Sequence, residues 1–120
     1  MAVVTWIESG AWNVKVYNIA EMTGGWLVGN FEPSIFKNPH VEVAHHFHPK
    51  GFVGEKHTHK KTTELSYLVR GELIASDEHL YSGDMFIYYP NEVADVKFLE
   101  DTDLVVIKWP SVVDDKYMVD

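Results

Sequence analysis

The hydrophobic residues of this chain fall in short runs separated by residues that form turns. Trp12, Val14 and Val16 alternate with other side chains, a period of two that is typical of a strand with one buried face. Further runs of strand length, bounded by Gly, Pro, Ser, Asn or Asp, cover residues 26–31, 41–48, 65–70, 73–75, 80–81, 85–89, 93–99 and 104–109. No eleven-residue window repeats its apolar residues at the 3.6-residue period of a helix. The pattern therefore predicts an all-β fold.

The number and length of these runs narrow the architecture. Many short strands at regular spacing, separated by tight turns, are typical of an antiparallel sandwich or barrel. At 120 residues and 46% hydrophobic content, the chain is large enough to bury one core. We therefore predict a single domain over residues 1–120.

Charge and composition exclude several classes of function. A net charge of −8 argues against binding a nucleic-acid backbone or an anionic membrane surface, because both need basic patches. The absence of cysteine removes disulfides, thiolate metal sites and cysteine nucleophiles. Residues 1–8 contain neither a basic region nor a long apolar run, so we expect no signal peptide, no membrane span and a cytoplasmic location.

One stretch carries the residue types of a metal site. His57 and His59 are two positions apart, so in a strand both imidazoles point to the same face. Glu64 can add a carboxylate oxygen from the next strand. Two imidazoles and one carboxylate with open positions suit a divalent transition metal, and Fe, Mn, Zn, Ni and Co all accept this ligand set. The alternative is an exposed His-Thr-His turn with no ligand.

This stretch resembles the first signature motif of the cupin superfamily. That motif has Gly, five residues, His-x-His, three or four residues, Glu, six residues and Gly. Gly51, His57, His59, Glu64 and Gly71 match every fixed position and every spacing. The resemblance implies an antiparallel double-sheet jelly-roll barrel with a metal held by the two histidines and the glutamate.

The second cupin motif is matched less completely. Gly83, Pro90 and Asn91 stand in its expected places, and Asn tolerates the positive φ of a turn as Gly does. The fourth ligand of the family is usually a histidine, and none follows Pro90. Counting from Gly83 puts that position at Ala94, and counting from Pro90 puts it at Asp95, which we assign as the fourth ligand. The alternative is a solvated Asp95 beside a centre with three protein ligands.

The resemblance also bears on the domain and its assembly. It covers residues 41–110, the motif-bearing barrel, leaving N-terminal strands over 1–40 and a C-terminal tail over 111–120. Small cupins often pair through their sheets, which implies a homodimer. The chain is also rich in tryptophan for its size, and these side chains fit either an interface or a core: Trp6, Trp12, Trp26 and Trp109.

Three more histidines lie just before the motif, at positions 45, 46 and 48. His46 and His48 share one face of their strand, while His45 and Phe47 lie on the other. If the first face points into the barrel, His46 and His48 are candidate catalytic residues that contact substrate or act as a general base. Imidazole suits that role because it titrates at about pH 6.5. The alternative is that they hydrogen-bond to backbone or solvent.

The leading functional hypothesis is a metal-dependent enzyme that acts on a small polar molecule, either sugar-like or a hydroxy or keto acid. The metal would be a Lewis acid toward a substrate oxygen. Resemblance to cupins leaves isomerase, epimerase, lyase, decarboxylase and dioxygenase chemistry open, because fold does not decide the reaction. The missing fourth histidine supports an alternative, a module that binds or senses a small ligand without catalysis. A third hypothesis is a structural domain that forms oligomers.

Overall fold

A computed structural model describes residues 4–6 and 12–120, with side chains described from residue 13 onward. The side chains of Trp6 and Trp12 therefore lie outside the described residues. The strands are β1 (Val4–Trp6), β2 (Trp12–Val14), β3 (Trp26–Gly29), β4 (Phe36–Lys37), β5 (Glu42–His48), β6 (His57–Thr58), β7 (Thr63–Arg70), β8 (Glu72–Ala75), β9 (Glu78–Tyr81), β10 (Met85–Tyr88), β11 (Val93–Ala94), β12 (Val96–Phe98), β13 (Thr102–Trp109) and β14 (Tyr117–Met118).

The all-β prediction is confirmed. Within the described part of the chain, the helical structure is limited to the 3₁₀ turn Ile19–Glu21. No helix in that part has the length and apolarity needed to span a membrane. The strands form one large sheet of order β10-β7-β13-β5-β3-β4, two three-stranded sheets of orders β11-β6-β14 and β12-β8-β9, and the pair β1-β2. All neighbours are antiparallel except β3 and β4.

The core lies between the large sheet and the β12-β8-β9 sheet. Strands of the large sheet alternate in burial, so that Leu104 and Val106 of β13 point inward. Leu68 and Leu73 are fully buried, and each such side chain contributes roughly 1.5–3 kcal/mol of transfer free energy. Both sheets supply the buried cluster, which comprises Ala44, Leu68, Leu73, Ala75, Phe98, Leu104 and Val106.

The predicted strand over residues 93–99 is interrupted at Asp95. β11 pairs with β6, whereas β12 pairs with β8. The chain thus passes from one small sheet to the other at Asp95. The end of the chain returns to the same place, because β14 pairs with the other edge of β6. β6, which begins with His57, is therefore held between β11 and β14.

Steric constraints explain why glycine occupies three positions of the two motifs. Gly71 has a φ of 120°, and a Cβ there would collide with Thr102. Gly51 and Gly83 also have positive φ, of 87° and 99°, a region that L side chains avoid. Asn91 takes a φ of 73°, as predicted for an Asn at a turn position where the family pattern has Gly.

Candidate metal centre

Three side chains converge at one end of the barrel. His57 begins β6, His59 follows that strand, and Glu64 is the second residue of β7. One ligand atom from each lies within 4.8 Å of the others. His59 Nε2 and a Glu64 carboxylate oxygen are 3.9 Å apart, and the two imidazole centroids are 5.1 Å apart. The structure brings together the three residues that the first motif predicted as ligands.

Hydrogen bonds to backbone carbonyls fix both imidazoles. His57 Nδ1 lies 2.8 Å from the Glu55 carbonyl oxygen, and His59 Nδ1 lies 2.7 Å from the Asp115 carbonyl oxygen. A carbonyl oxygen only accepts, so each Nδ1 carries the proton and donates it. Each Nε2 is left with a lone pair. Metal-ligating histidines are oriented in this way by their second nitrogen.

His59 is the most constrained of the three. Its side chain is buried, and within residues 13–120 its Nε2 is the one buried side-chain nitrogen or oxygen without a hydrogen-bond partner. Burial lowers the pKa of His59, and the nearby Lys108 charge lowers it further, against an opposing effect of Glu64. The ring is therefore neutral near pH 7. An unpartnered buried acceptor costs about 1–3 kcal/mol, and a cation beside Glu64 would satisfy it.

Asp115 anchors the segment that orients His59. Its buried carboxylate accepts hydrogen bonds from the backbone N–H groups of Lys60, Lys61 and Thr62 at 3.2, 3.0 and 3.0 Å. It also accepts a hydrogen bond from the Thr62 hydroxyl at 2.9 Å. Burial raises the pKa of the Asp115 carboxyl, but these hydrogen bonds outweigh burial and hold the pKa below its usual value. Sequence analysis assigned this segment to a tail and missed its contact with His59.

The predicted fourth ligand, Asp95, is not part of the three-residue group. Its carboxylate lies 3.9 Å from Lys56 Nζ, and its neighbours Ala94 and Val96 line the cavity instead. Ala94 is buried and pairs with His57 across β11 and β6. The alternation of side chains thus places a methyl group where the count from Gly83 puts a ligand.

A cavity of about 690 Å³ opens from this site into the barrel. His46 and His48 line it from β5, on the inner face, as the sequence proposed for candidate catalytic residues. His46 packs edge-on against Trp26, with ring centroids 5.2 Å apart. Burial and the nearby charges of His48, Lys108 and His45 lower the pKa of His46 to about 4. His46 is therefore a neutral imidazole near pH 7.

His48 lies among aromatic rings. It stacks on Phe52 at 5.0 Å and tilts against Phe98 at 4.4 Å, measured between ring centroids. Burial lowers the pKa of His48 as well. Both histidines can accept or donate one hydrogen bond toward a molecule in the cavity.

Two charged residues of the cavity were missed from the sequence. Glu42 of β5 and Lys108 of β13 form an ion pair of 3.4 Å, with side chains 7% and 13% exposed. Both line the same cavity as the candidate ligands. The sequence did indicate the position of Lys108, because Leu104, Val106 and Lys108 follow one another at period two and so share the inner face of β13.

Comparisons with known proteins connect this geometry to a fold. No protein-family model and no curated protein matches the chain. Among solved structures, KdgF from Halomonas sp. is 24% identical with a TM-score of 0.58, over 64% of this chain and 74% of that one. An uncharacterised conserved protein with a double-stranded β-helix domain from Klebsiella pneumoniae is 16% identical with a TM-score of 0.63, over 88% and 97%. These likenesses confirm the cupin-type double-stranded β-helix fold, the predicted double-sheet jelly roll.

Oxalate decarboxylase from Bacillus subtilis is a further structural neighbour, 14% identical with a TM-score of 0.60 over 68% of this chain. The match covers 24% of the length of that enzyme. Another of its structures addresses the enzyme's Mn(II) centres. The likeness shows a shared fold.

The anchoring of the C-terminal segment generates a first prediction. Asp115→Asn replaces one of the two acceptor oxygens with an NH2 group, which donates and cannot accept from the N–H groups of residues 60–62, so the carbonyl that orients His59 loses part of its support. We expect the metal dissociation constant to rise about 10- to 100-fold, the usual effect of losing such a supporting contact. Competition with a chelating dye measures it. Asp77→Asn, at an exposed turn position that does not line the cavity, is the matched control and should bind as the wild type does. Equal affinity of the two variants would contradict this role.

The buried His46 generates a pH prediction for the metal-free protein. The pKa of His46 is about 4 in the folded state and about 6.5 in the unfolded chain. Between these values the unfolded state binds the proton and the folded state does not, so stability falls as pH drops from about 6.5 to about 4. Urea unfolding at pH 7 and pH 5, in the presence of chelator, should show His46→Gln losing less stability than the wild type. An identical loss in both proteins would rule out His46 as a source of the pH dependence.

Proposed function

We propose that this protein is a metal-dependent enzyme that binds a divalent transition metal through His57 Nε2, His59 Nε2 and the Glu64 carboxylate. Its substrate is a small polar molecule, sugar-like or a hydroxy or keto acid, held in the barrel cavity. One observation carries the proposal: the buried Nε2 of His59 lacks a hydrogen-bond partner and faces a second imidazole and a carboxylate. Such a donor set is common at metal sites.

The donor set fits Mn, Fe, Zn, Ni or Co without choosing among them. The Mn(II) centres of the structural neighbour oxalate decarboxylase support a divalent ion. When bound, the ion would supply Lewis-acid polarisation of a substrate oxygen. With Ala94 at the expected fourth position, the three protein ligands leave open positions for that oxygen.

The chain's own residues would then position substrate and move the proton. His46 and His48 are neutral near pH 7 and line the cavity, so either could accept a proton from bound substrate. We now assign Asp95, predicted from the sequence as the fourth ligand, to an ion pair with Lys56 outside the ligand set.

A non-catalytic module that binds a small ligand is the second candidate. The methyl group of Ala94 facing the site favours it, because this chain lacks the fourth protein ligand that the family pattern expects. Tight metal binding without turnover of any hydroxy or keto acid would support that candidate. Substrate-dependent oxygen uptake would instead identify a dioxygenase.

We also propose a homodimer formed through the outer face of the large sheet. That face presents exposed apolar side chains on neighbouring strands, including Tyr67 at 41%, Met85 at 65% and Ile87 at 37% exposure. Patches of this kind mark interaction surfaces. Two chains of net charge −8 repel each other, so a contact needs a surface without free acids. Asp103, the one outward carboxylate of β5, β7, β10 and β13, is paired with Arg70 and His45.

The dimer can be tested by sedimentation velocity. The wild type should sediment at twice the mass of one chain. Met85→Lys combined with Ile87→Lys places two cations on the outer face and should give monomers, whereas Val16→Lys, at an exposed residue outside the large sheet, should leave the dimer intact. A wild type that is monomeric at about 100 μM would contradict the proposed interface, because stable dimers have dissociation constants well below this value.

The metal centre is tested by elemental analysis of protein purified without a histidine tag. We expect close to one divalent metal ion per chain in the wild type and its loss in the His57→Ala, His59→Ala double variant, because the variant keeps only one carboxylate. His40→Ala combined with His79→Ala, which removes two histidines from outside the cavity, is the matched control and should retain the metal. Absence of metal from the wild type after reloading would contradict the proposed function.

A further inference from the structure

Lys108 occupies an unusual position on the inner face of the large sheet. In the strand register it pairs with Glu42 on β5 and with Glu64 on β7. Directly opposed residues of antiparallel strands have Cβ atoms about 4.5–5.5 Å apart. The ammonium group therefore belongs to the same row of side chains as the carboxylate ligand Glu64, and Lys is seldom buried without a partner or a task.

The surroundings of Lys108 leave it able to bind a further anion. Its Nζ lies 3.4 Å from a Glu42 carboxylate oxygen and 5.1 Å from the centroid of the Trp26 ring. Glu42 also accepts a hydrogen bond from the Ser111 hydroxyl at 3.0 Å. An ammonium has three donors, and the side chain lines the cavity. The ion pair with Glu42 occupies at most one of these donors, which leaves at least two for a ligand.

The less exposed charges of this row favour an anionic ligand, and the other charged residues that line the cavity, Glu32, Glu55, Asp114 and Lys116, are exposed to solvent. Glu42 and Lys108 neutralise each other, and Glu64 neutralises half of a divalent ion, so the row carries one positive charge once the ion is bound. Burying a net charge is costly. A ligand with one negative charge leaves the row neutral, whereas a neutral sugar leaves the excess charge uncompensated. Asp115 is not counted in this row, because its carboxylate accepts hydrogen bonds from the backbone N–H groups of residues 60–62.

We infer that Lys108 binds the carboxylate of the substrate, and that the substrate is a monoanionic 2-hydroxy or 2-oxo acid. In such a molecule the carboxylate and the hydroxyl or keto oxygen are on adjacent carbons. They match two adjacent groups of the sheet, the Lys108 ammonium and the metal position at Glu64. The inference rests on the proposed function, and it narrows the substrate class by excluding neutral sugars.

A purely structural ion pair with Glu42 is the competing explanation for Lys108. Removing the lysine alone would leave Glu42 buried without its partner, which is strongly destabilising. The test therefore uses Glu42→Gln, which keeps the ammonium, and the double variant Glu42→Gln, Lys108→Met, which removes both charges. The two variants differ only in the group to which the inference assigns carboxylate binding.

The probes are glycolate and its neutral analogue glycolamide, titrated by calorimetry into protein reconstituted with Mn²⁺, with the metal content of each sample measured first. We expect wild type and Glu42→Gln to bind glycolate at least about tenfold more tightly than glycolamide, since a charge-assisted hydrogen bond contributes at least this much. The double variant should lose at least about tenfold of the preference that Glu42→Gln shows, the remainder coming from the ion itself, while retaining Mn²⁺ and its affinity for glycolamide.

Each contrary outcome is distinct. A glycolate preference as strong in the double variant as in Glu42→Gln, or its absence from metal-loaded wild type, would overturn the role of Lys108 and leave the metal centre standing. Failure of the wild type to bind Mn²⁺ or any other divalent ion would overturn the proposed function, and the inference with it.

Discussion

The hydrogen bond from His59 Nδ1 to the Asp115 carbonyl determines what the rest of the site can do. It is 2.7 Å long and joins residues 56 positions apart. By fixing the proton on Nδ1, it leaves the buried Nε2 as an acceptor without a partner. The cost of that buried acceptor is offset when a hydrogen-bond donor or a cation binds its lone pair, and the carboxylate of Glu64 beside it would favour a cation. The C-terminal segment is thus part of the candidate centre.

The barrel supports this contact with an ordered arrangement of polar and apolar layers. One row across the large sheet carries Glu42, Lys108 and Glu64, and the next inward row of β13 carries Val106, which belongs to the buried core. These three charges are therefore confined to one end of the cavity. His46 and His48 lie farther along β5 among aromatic rings, and burial keeps them neutral. The geometry separates a cationic binding end from a less polar end that can hold a proton acceptor.

The sequence predicted the all-β fold and the convergence of His57, His59 and Glu64. Both follow from local spacing, because side chains two positions apart in a strand point to the same face. The fourth ligand position was harder to predict, since counting from Gly83 led to Ala94 and counting from Pro90 led to Asp95. A shift of one residue along a strand moves the side chain to the opposite face of the sheet. Asp115 could not be found, because its role depends on a two-residue strand that pairs with β6 across some sixty positions. The period-two alternation of β13 indicated that Lys108 lies on the inner face, but a lone lysine in a strand is normally solvated. The single domain over residues 1–120 and the cytoplasmic location stay predictions.

Anomalous X-ray diffraction from a crystal of the Mn²⁺-loaded protein tests the central claim most directly, because it locates the ion and identifies the bonding nitrogens. The account predicts one anomalous peak at about 2.0–2.3 Å from Nε2 of His57, Nε2 of His59 and a carboxylate oxygen of Glu64. Both Nδ1 atoms should keep their backbone carbonyl partners. An ion bound through Nδ1, or a peak at Asp95 with the Nε2 atom of His59 still unpartnered, would contradict it.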